Sequence, residues 1–169
     1  MSTSLLLNPH QAYGAIVSDA EDEPPNWTVE GRGGLHSWKT LGYIPTDDFD
    51  PFGVGPFTRS ISRTVEYAYN DFCIAEMASK MGKQADLEKY LGRSENWKNM
   101  FKADQTSALN RSNTFVDTGF IGFLQTRFLN GTWGFQDPAL CSPLYNFSSC
   151  YLSQKGHETY EGSSWLYTL

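Results

Sequence analysis

Glu161 sits in the run YEGSSWLYTL, residues 160–169, beside Gly162 and among Tyr160, Trp165 and Tyr167. A carboxyl held between aromatic walls is equipped to be a general acid, because desolvation disfavours the charged form and keeps the proton in place near neutrality. The same stretch reads as the start of a helix, whose positive end pulls the other way, toward the carboxylate. From the residues alone the ordinary reading is a first-turn Glu that complements a helix terminus, and a tuned proton donor is the minor one.

Four further side chains could contact a ligand. Glu66 and Asp71, with Asn70, are polar exceptions toward the N-terminal half of the segment SRTVEYAYNDFCIAEMASKMGK, residues 62–83. Buried carboxylates must be paired, hydrogen-bonded or protonated, so these two either pair with Arg63 and favour the helix N-terminal half or face a ligand. Trp38 and Tyr43 stand in the preceding Gly-rich stretch and offer flat apolar faces with a polar edge. His36 and His157 match no metal-binding spacing.

Several elements must position these groups. The segment 62–83 is expected to be a helix, from near Ser62 to the Gly82-Lys83 stop. Val65, Ala68, Tyr69 and Phe72 form one apolar stripe, and Ile74, Met77, Ala78 and Met81 form another. Two stripes imply burial on two sides, as for a helix of an inner ring. A second helix is expected over 85–101, with Leu87, Tyr90, Leu91, Trp97 and Phe101 on one face and a weak point at Gly92, which costs about 1 kcal/mol against Ala. A short helix is expected around HQAYGAIVSDA, stopped by Pro24-Pro25. Residues 29–56 sustain neither period and read as an extended loop. In 114–135, alternation and an Asn130-Gly131 turn read as a hairpin inserted between helices. The class is therefore mainly α with long loops and a small β-hairpin.

Composition narrows the partners. The chain has 169 residues, Lys+Arg 13 against Asp+Glu 19, and a net charge of -6, a balance that repels phosphate backbones and excludes nucleic acid. No stretch approaches the roughly 20 apolar residues of a membrane span, so the chain reads as soluble, with no membrane partner. The N-terminal MSTSLLLNPHQ lacks a basic region and a secretory apolar run. Four acceptor sequons nevertheless occur, at Asn26, Asn110, Asn130 and Asn146, and point to descent from a secreted protein. Cys141 and Cys150 bracket a turn-rich loop whose ends an oxidising compartment would close as a disulfide, while Cys73 reads as a small buried residue; three free thiols are the alternative.

Five ordered blocks carry a resemblance: GYIP, then SRTVEYAYNDFCIAEMASKMGK, YLGRSENWKNMF, NGTWGFQDP and YEGSSWLYTL. Together they resemble the catalytic region of glycoside hydrolase family 92, the alpha-mannosidases, over residues 31–169. The resemblance implies a parent with an N-terminal beta-sandwich-like domain and an (alpha/alpha)6 toroid, working as a calcium-dependent, inverting exo-alpha-mannosidase on glycoprotein or yeast-type mannans. Residues 1–169 would be a fragment of the toroid, its partners being mannose-containing glycans and the missing remainder of the catalytic domain. The Glu of the Glu-Gly pair is the family's general acid, which places that role on Glu161; the base and the calcium ligands belong to motifs outside this chain. Ser163 and Ser164 stand where the family commonly has Asn-Ala, and YEG replaces TEG, changes that alter hydrogen bonding around the acid. Because sugars want carboxylates and flat rings, Glu66, Asp71, Trp38, Tyr43 and Trp165 are the expected substrate contacts. The isolated chain is expected to be inactive, and the alternative is a non-catalytic carbohydrate-binding or interaction remnant.

Overall fold

A computed structural model describes residues 8–52, 59–111 and 114–135. Its elements are helices α1 (Pro9–Glu21), α2 (Leu35–Leu41), α3 (Ser60–Lys80) and α4 (Gln84–Ser94), a 3-10 helix (Glu95–Met100), and strands β1 (Phe101–Arg111) and β2 (Thr114–Leu124). The mainly helical character and the small antiparallel hairpin match the class read from the sequence.

Asn8 starts α1: its side chain accepts a hydrogen bond from the His10 N–H at 2.9 Å, and Pro9 follows at the first helical position, where its missing N–H costs nothing. α3 ends in a Schellman motif. Lys83 N–H reaches the Ala78 carbonyl at 2.9 Å and Gly82 N–H reaches that of Ser79 at 3.2 Å, which satisfies carbonyls the last turn would leave open. The other end differs from expectation, because the residue before α3 is Arg59, with φ 39°, and its side chain caps nothing.

Three apolar clusters hold these elements together. Tyr13 and Ala20 of α1 meet Ile74, Ala75 and Ala78 of α3 and Tyr90 of α4. Leu35 and Trp38 of α2 and Ile44 pack on Tyr67 and Ala68. Tyr43, Ile61, Met100 and Leu124 form the third cluster, and Trp97 touches both of the last two. Of the two stripes read on α3, Ala68, Ile74 and Ala78 are buried, whereas Tyr69 is 63% and Phe72 43% exposed.

Three expectations are corrected. The stretch 29–56 is not loop throughout, since α2 lies within it. The second helix is not continuous to 101: α4 ends at Ser94 and the chain tightens into the 3-10 helix, two residues beyond the weak point at Gly92. The main hairpin begins before 114. β1 pairs with β2 in the register Phe101↔Leu124, Lys102↔Phe123 and Thr106↔Ile121, with irregularities between Lys102 and Ala108. The Asn130-Gly131 turn closes a separate, smaller loop, bridged by Arg127↔Trp133, with Phe128 N–H donating to Thr132 at 3.0 Å. Among the described residues, no helix is long and apolar enough to cross a membrane.

Candidate functional site

Two guanidiniums draw the segment 31–50 onto the N-terminal half of α3. Arg32, 3% exposed, donates from Nη1 to Asp71 Oδ1 at 2.7 Å and from Nε to Asp19 Oδ2 at 3.3 Å, so one loop residue joins α3 to α1. Arg63 donates from Nη1 to Asp50 Oδ2 at 2.8 Å and to the Gly33 carbonyl at 3.3 Å. Its guanidinium lies 4.7 Å from the centre of the Trp27 ring, and Trp27 Nε1 donates to Asp50 Oδ1 at 2.9 Å. The Tyr67 hydroxyl serves Gly33 twice, accepting from its N–H at 3.0 Å and donating to its carbonyl at 3.1 Å. Asp71, Arg63 and Asp50 thus each meet an opposite charge and a neutral donor or acceptor, while Arg32 meets two carboxylates and the Tyr67 ring 5.2 Å away, the condition under which a buried ion pair is tolerated.

Asp71 is the most enclosed carboxylate of this arrangement, with no exposed surface. Trp38 Nε1 donates to its second oxygen at 3.2 Å, and the Trp38 and Tyr67 rings meet edge to face at 5.7 Å. Burial pushes the Asp71 carboxyl up from its ordinary value, against the pull of the Arg32 guanidinium and the Trp38 N–H. Asp48, which accepts from Ser37 Oγ at 2.7 Å, is also pushed up by burial, and nearby Asp50 adds to the effect.

The sequence candidates therefore occupy different situations. Asp71 and Trp38 are hydrogen-bonded to each other beneath the segment 31–50, so a sugar hydroxyl reaching Asp71 would have to displace either Arg32 or Trp38. Tyr43 is also buried; its hydroxyl donates to the Phe128 carbonyl at 2.9 Å and Arg127 stands 4.9 Å from its ring centre. Glu66 is exposed on α3, near Tyr69. Arg63, the expected partner of Glu66 and Asp71, serves Asp50 instead, and Arg32 takes Asp71. Cys73 is half-buried and unpaired by any disulfide. Glu161, Trp165, Cys141, Cys150 and Asn146 lie outside the described residues, as does the side chain of Asn110. Sequence reading missed Arg32, Asp50 and Trp27. The one available signal was an Arg amid glycines in GRGG, close to residues that needed a buried counter-charge.

The family model for the glycosyl hydrolase family 92 catalytic domain matches residues 5–169. The chain belongs to glycosyl hydrolase family 92. A protein of Arthroderma benhamiae, described as an uncharacterized secreted glycosidase, is 56% identical over 154 residues, which cover 91% of this chain and 19% of that protein. A family 92 inverting mannosidase of Bacteroides thetaiotaomicron shares the fold at a TM-score of 0.65 and 23% identity, over 94% of this chain and 17% of its own. A family 92 alpha-mannosidase of the same organism, also solved in complex with mannoimidazole, matches at a TM-score of 0.52 and 24% identity, over 76% of this chain and 14% of its own. The chain thus spans less than a fifth of each of these proteins.

Calcium, which the family resemblance implies, finds no seat among the described residues: no group of three or more His, Cys, Asp or Glu side chains is placed to hold a metal ion. The nearest acidic run, Asp47, Asp48 and Asp50, is engaged with Leu129 N–H, Ser37 and Arg63 respectively.

Proposed function

We propose that this family 92 chain is part of the catalytic (alpha/alpha)6 toroid of an inverting exo-alpha-mannosidase that acts on mannose-containing glycans of glycoproteins or yeast-type mannans. The observation that carries this reading is the family match across residues 5–169, which takes in the Glu161-Gly162 pair. Mannosidases among the solved relatives support the substrate class. In this reading the parent protein is secreted, as the Arthroderma benhamiae relative is described to be.

Glu161 donates the proton to the departing glycosidic oxygen, while the base that activates water and the calcium ligands come from chain outside residues 1–169. Glu66, with its carboxylate at the surface, is the direct sugar contact on α3; Trp165 supplies an apolar wall beside the acid. Asp71, Trp38 and Tyr43 act from within the core, with Asp71 and Trp38 fixing the course of the segment 31–50.

The test is an anomer-resolved NMR assay of mannose release by the full-length parent, with Glu161→Gln beside it. Positioned acid–base groups contribute about 10²–10⁴-fold, and the Gln variant should lose that much kcat on substrates with poor leaving groups. A parent that releases no mannose supports the carbohydrate-binding remnant instead. A variant with undiminished turnover removes Glu161 from the acid role while leaving the family intact.

A further inference from the structure

We propose that Asn26 and Asn130 carry N-linked glycans in the mature protein. The inference is independent of the mannosidase reading, since neither Asn side chain takes part in the hydrogen bonding around Asp71.

Both residues head an Asn-x-Thr sequon, NWT at 26–28 and NGT at 130–132, the acceptor pattern for this modification. The structure gives the two the same local geometry. The Thr28 hydroxyl donates to Asn26 Oδ1 at 2.6 Å and the Thr28 N–H donates to the same oxygen at 3.1 Å. At the second site the Thr132 hydroxyl and N–H donate to Asn130 Oδ1 at 2.6 and 2.9 Å. Two donors converging on one atom identify it as the carboxamide oxygen. The nitrogen is therefore the other branch of each carboxamide, and neither Nδ2 hydrogen-bonds to any described residue.

Surroundings favour a glycan at both turns. Thr28, Asn130 and Thr132 are exposed and Asn26 is half-buried, so a hydrophilic oligosaccharide leaves each site into water without burying polar groups. Each turn is also anchored. Trp27, the middle residue of the first sequon, is fixed by its bond to Asp50, and the Gly131 carbonyl of the second accepts from Arg127 Nη2 at 3.1 Å. Folding thus keeps both Asn residues at the surface.

The modification needs a lipid-diphosphate-linked oligosaccharide as donor. A bond forms between Nδ2 and the anomeric carbon, the bond from that carbon to the diphosphate oxygen breaks, lipid diphosphate leaves with its electron pair, and the proton lost from Nδ2 passes to solvent through a base of the transferring enzyme. A hydroxyl donating to Oδ1 draws electron density from the carboxamide and eases that proton loss.

The experiment expresses the chain behind a secretion leader in a eukaryotic host and maps its peptides after peptide N-glycosidase treatment in heavy-oxygen water, which converts each glycosylated Asn to labelled Asp. Label is expected at 26 and at 130. Thr28→Ala and Thr132→Ala should each remove one label and one step of gel mobility, while Thr28→Ser and Thr132→Ser retain them. Both secreted and intracellular pools are read, so a variant that fails to leave the cell still reports its occupancy. An unlabelled Asn26 or Asn130 in the unaltered chain overturns the assignment at that residue, whatever a mannosidase assay gives.

Discussion

Glu21 and Asp71 are both carboxylates gripped by cations, and their protons respond in opposite directions. Glu21 ends α1 at the rim of the molecule with its side chain 25% exposed. Burial pushes its carboxyl up, but Arg93 at 2.7 Å, Lys39 and Lys89 at 3.1 Å and the Tyr90 hydroxyl at 2.9 Å outweigh that and hold it at about 2. Asp71 has one close guanidinium, one indole N–H and no exposed surface. Burial wins there and the carboxyl is raised. Three cations around a partly exposed carboxylate outweigh its desolvation, whereas a single close cation beneath a full protein cover does not. The rim network fastens α1 to α2 and α4, while the buried pair sets the course of the segment 31–50.

The sharpest way to break this contrast is to orphan the buried charge. Arg32→Met leaves Asp71 enclosed without its counter-ion and should cost about 3–5 kcal/mol in urea denaturation. Adding Asp71→Leu removes the orphan, and the double variant should recover most of that loss, because apolar replacement of a whole buried pair is often nearly neutral. If the double variant is as unstable as the single one, the pair contributes net stability and the account of Asp71 given above fails.

The two regions also differ in how far sequence could reveal them. α3 was legible because 21 residues repeat an apolar period and end in a Gly82 stop. α2 was not: its seven residues lie between Gly34 and Gly42, both in the left-handed region with φ 70° and 73°, so they are too short to show a period and carry a turn residue at each end. β1 was missed because FKADQTSALNR does not alternate; it is a strand because β2 pairs with it, a tertiary reason that local pattern does not contain. The family and Glu161 were reached through ordered blocks, not through chemistry read residue by residue. Arg32 remained hidden because its partner Asp71 lies 39 positions away, and no local spacing rule links a loop Arg to a helical Asp at that distance.

Glu21→Gln tests the rim side of the comparison through pH. A carboxyl lowered from 4.5 to about 2 on folding stabilises the folded state fully above pH 4.5 and loses that contribution as pH falls toward 2. The linkage is about 2–3 kcal/mol after allowance for solvent screening of a partly exposed group. Unfolding free energy of the unaltered chain should therefore fall through this acid window, and the Gln variant should lack that part of the fall while being weaker at neutrality. Asp71 has the opposite sign: its raised carboxyl favours the folded state most below its unfolded value and contributes less as pH rises. An acid limb unchanged by Glu21→Gln would mean that the cations around it bring no linkage.

Lys89→Ala should have the smallest effect, and its size measures how much of the rim network is cooperative. Its side chain is 40% exposed, and its ammonium sits 3.1 Å from Glu21 Oε1 and 4.0 Å from Asp86 Oδ1. A lone surface pair of this kind is worth less than about 1 kcal/mol and is screened by salt. Arg93 and Lys39 remain on Glu21 in the variant, so the loss should stay below that figure and vanish in molar salt. A larger loss that persists in salt would show that the three cations act as one unit, since removing one would then have loosened the geometry of the other two.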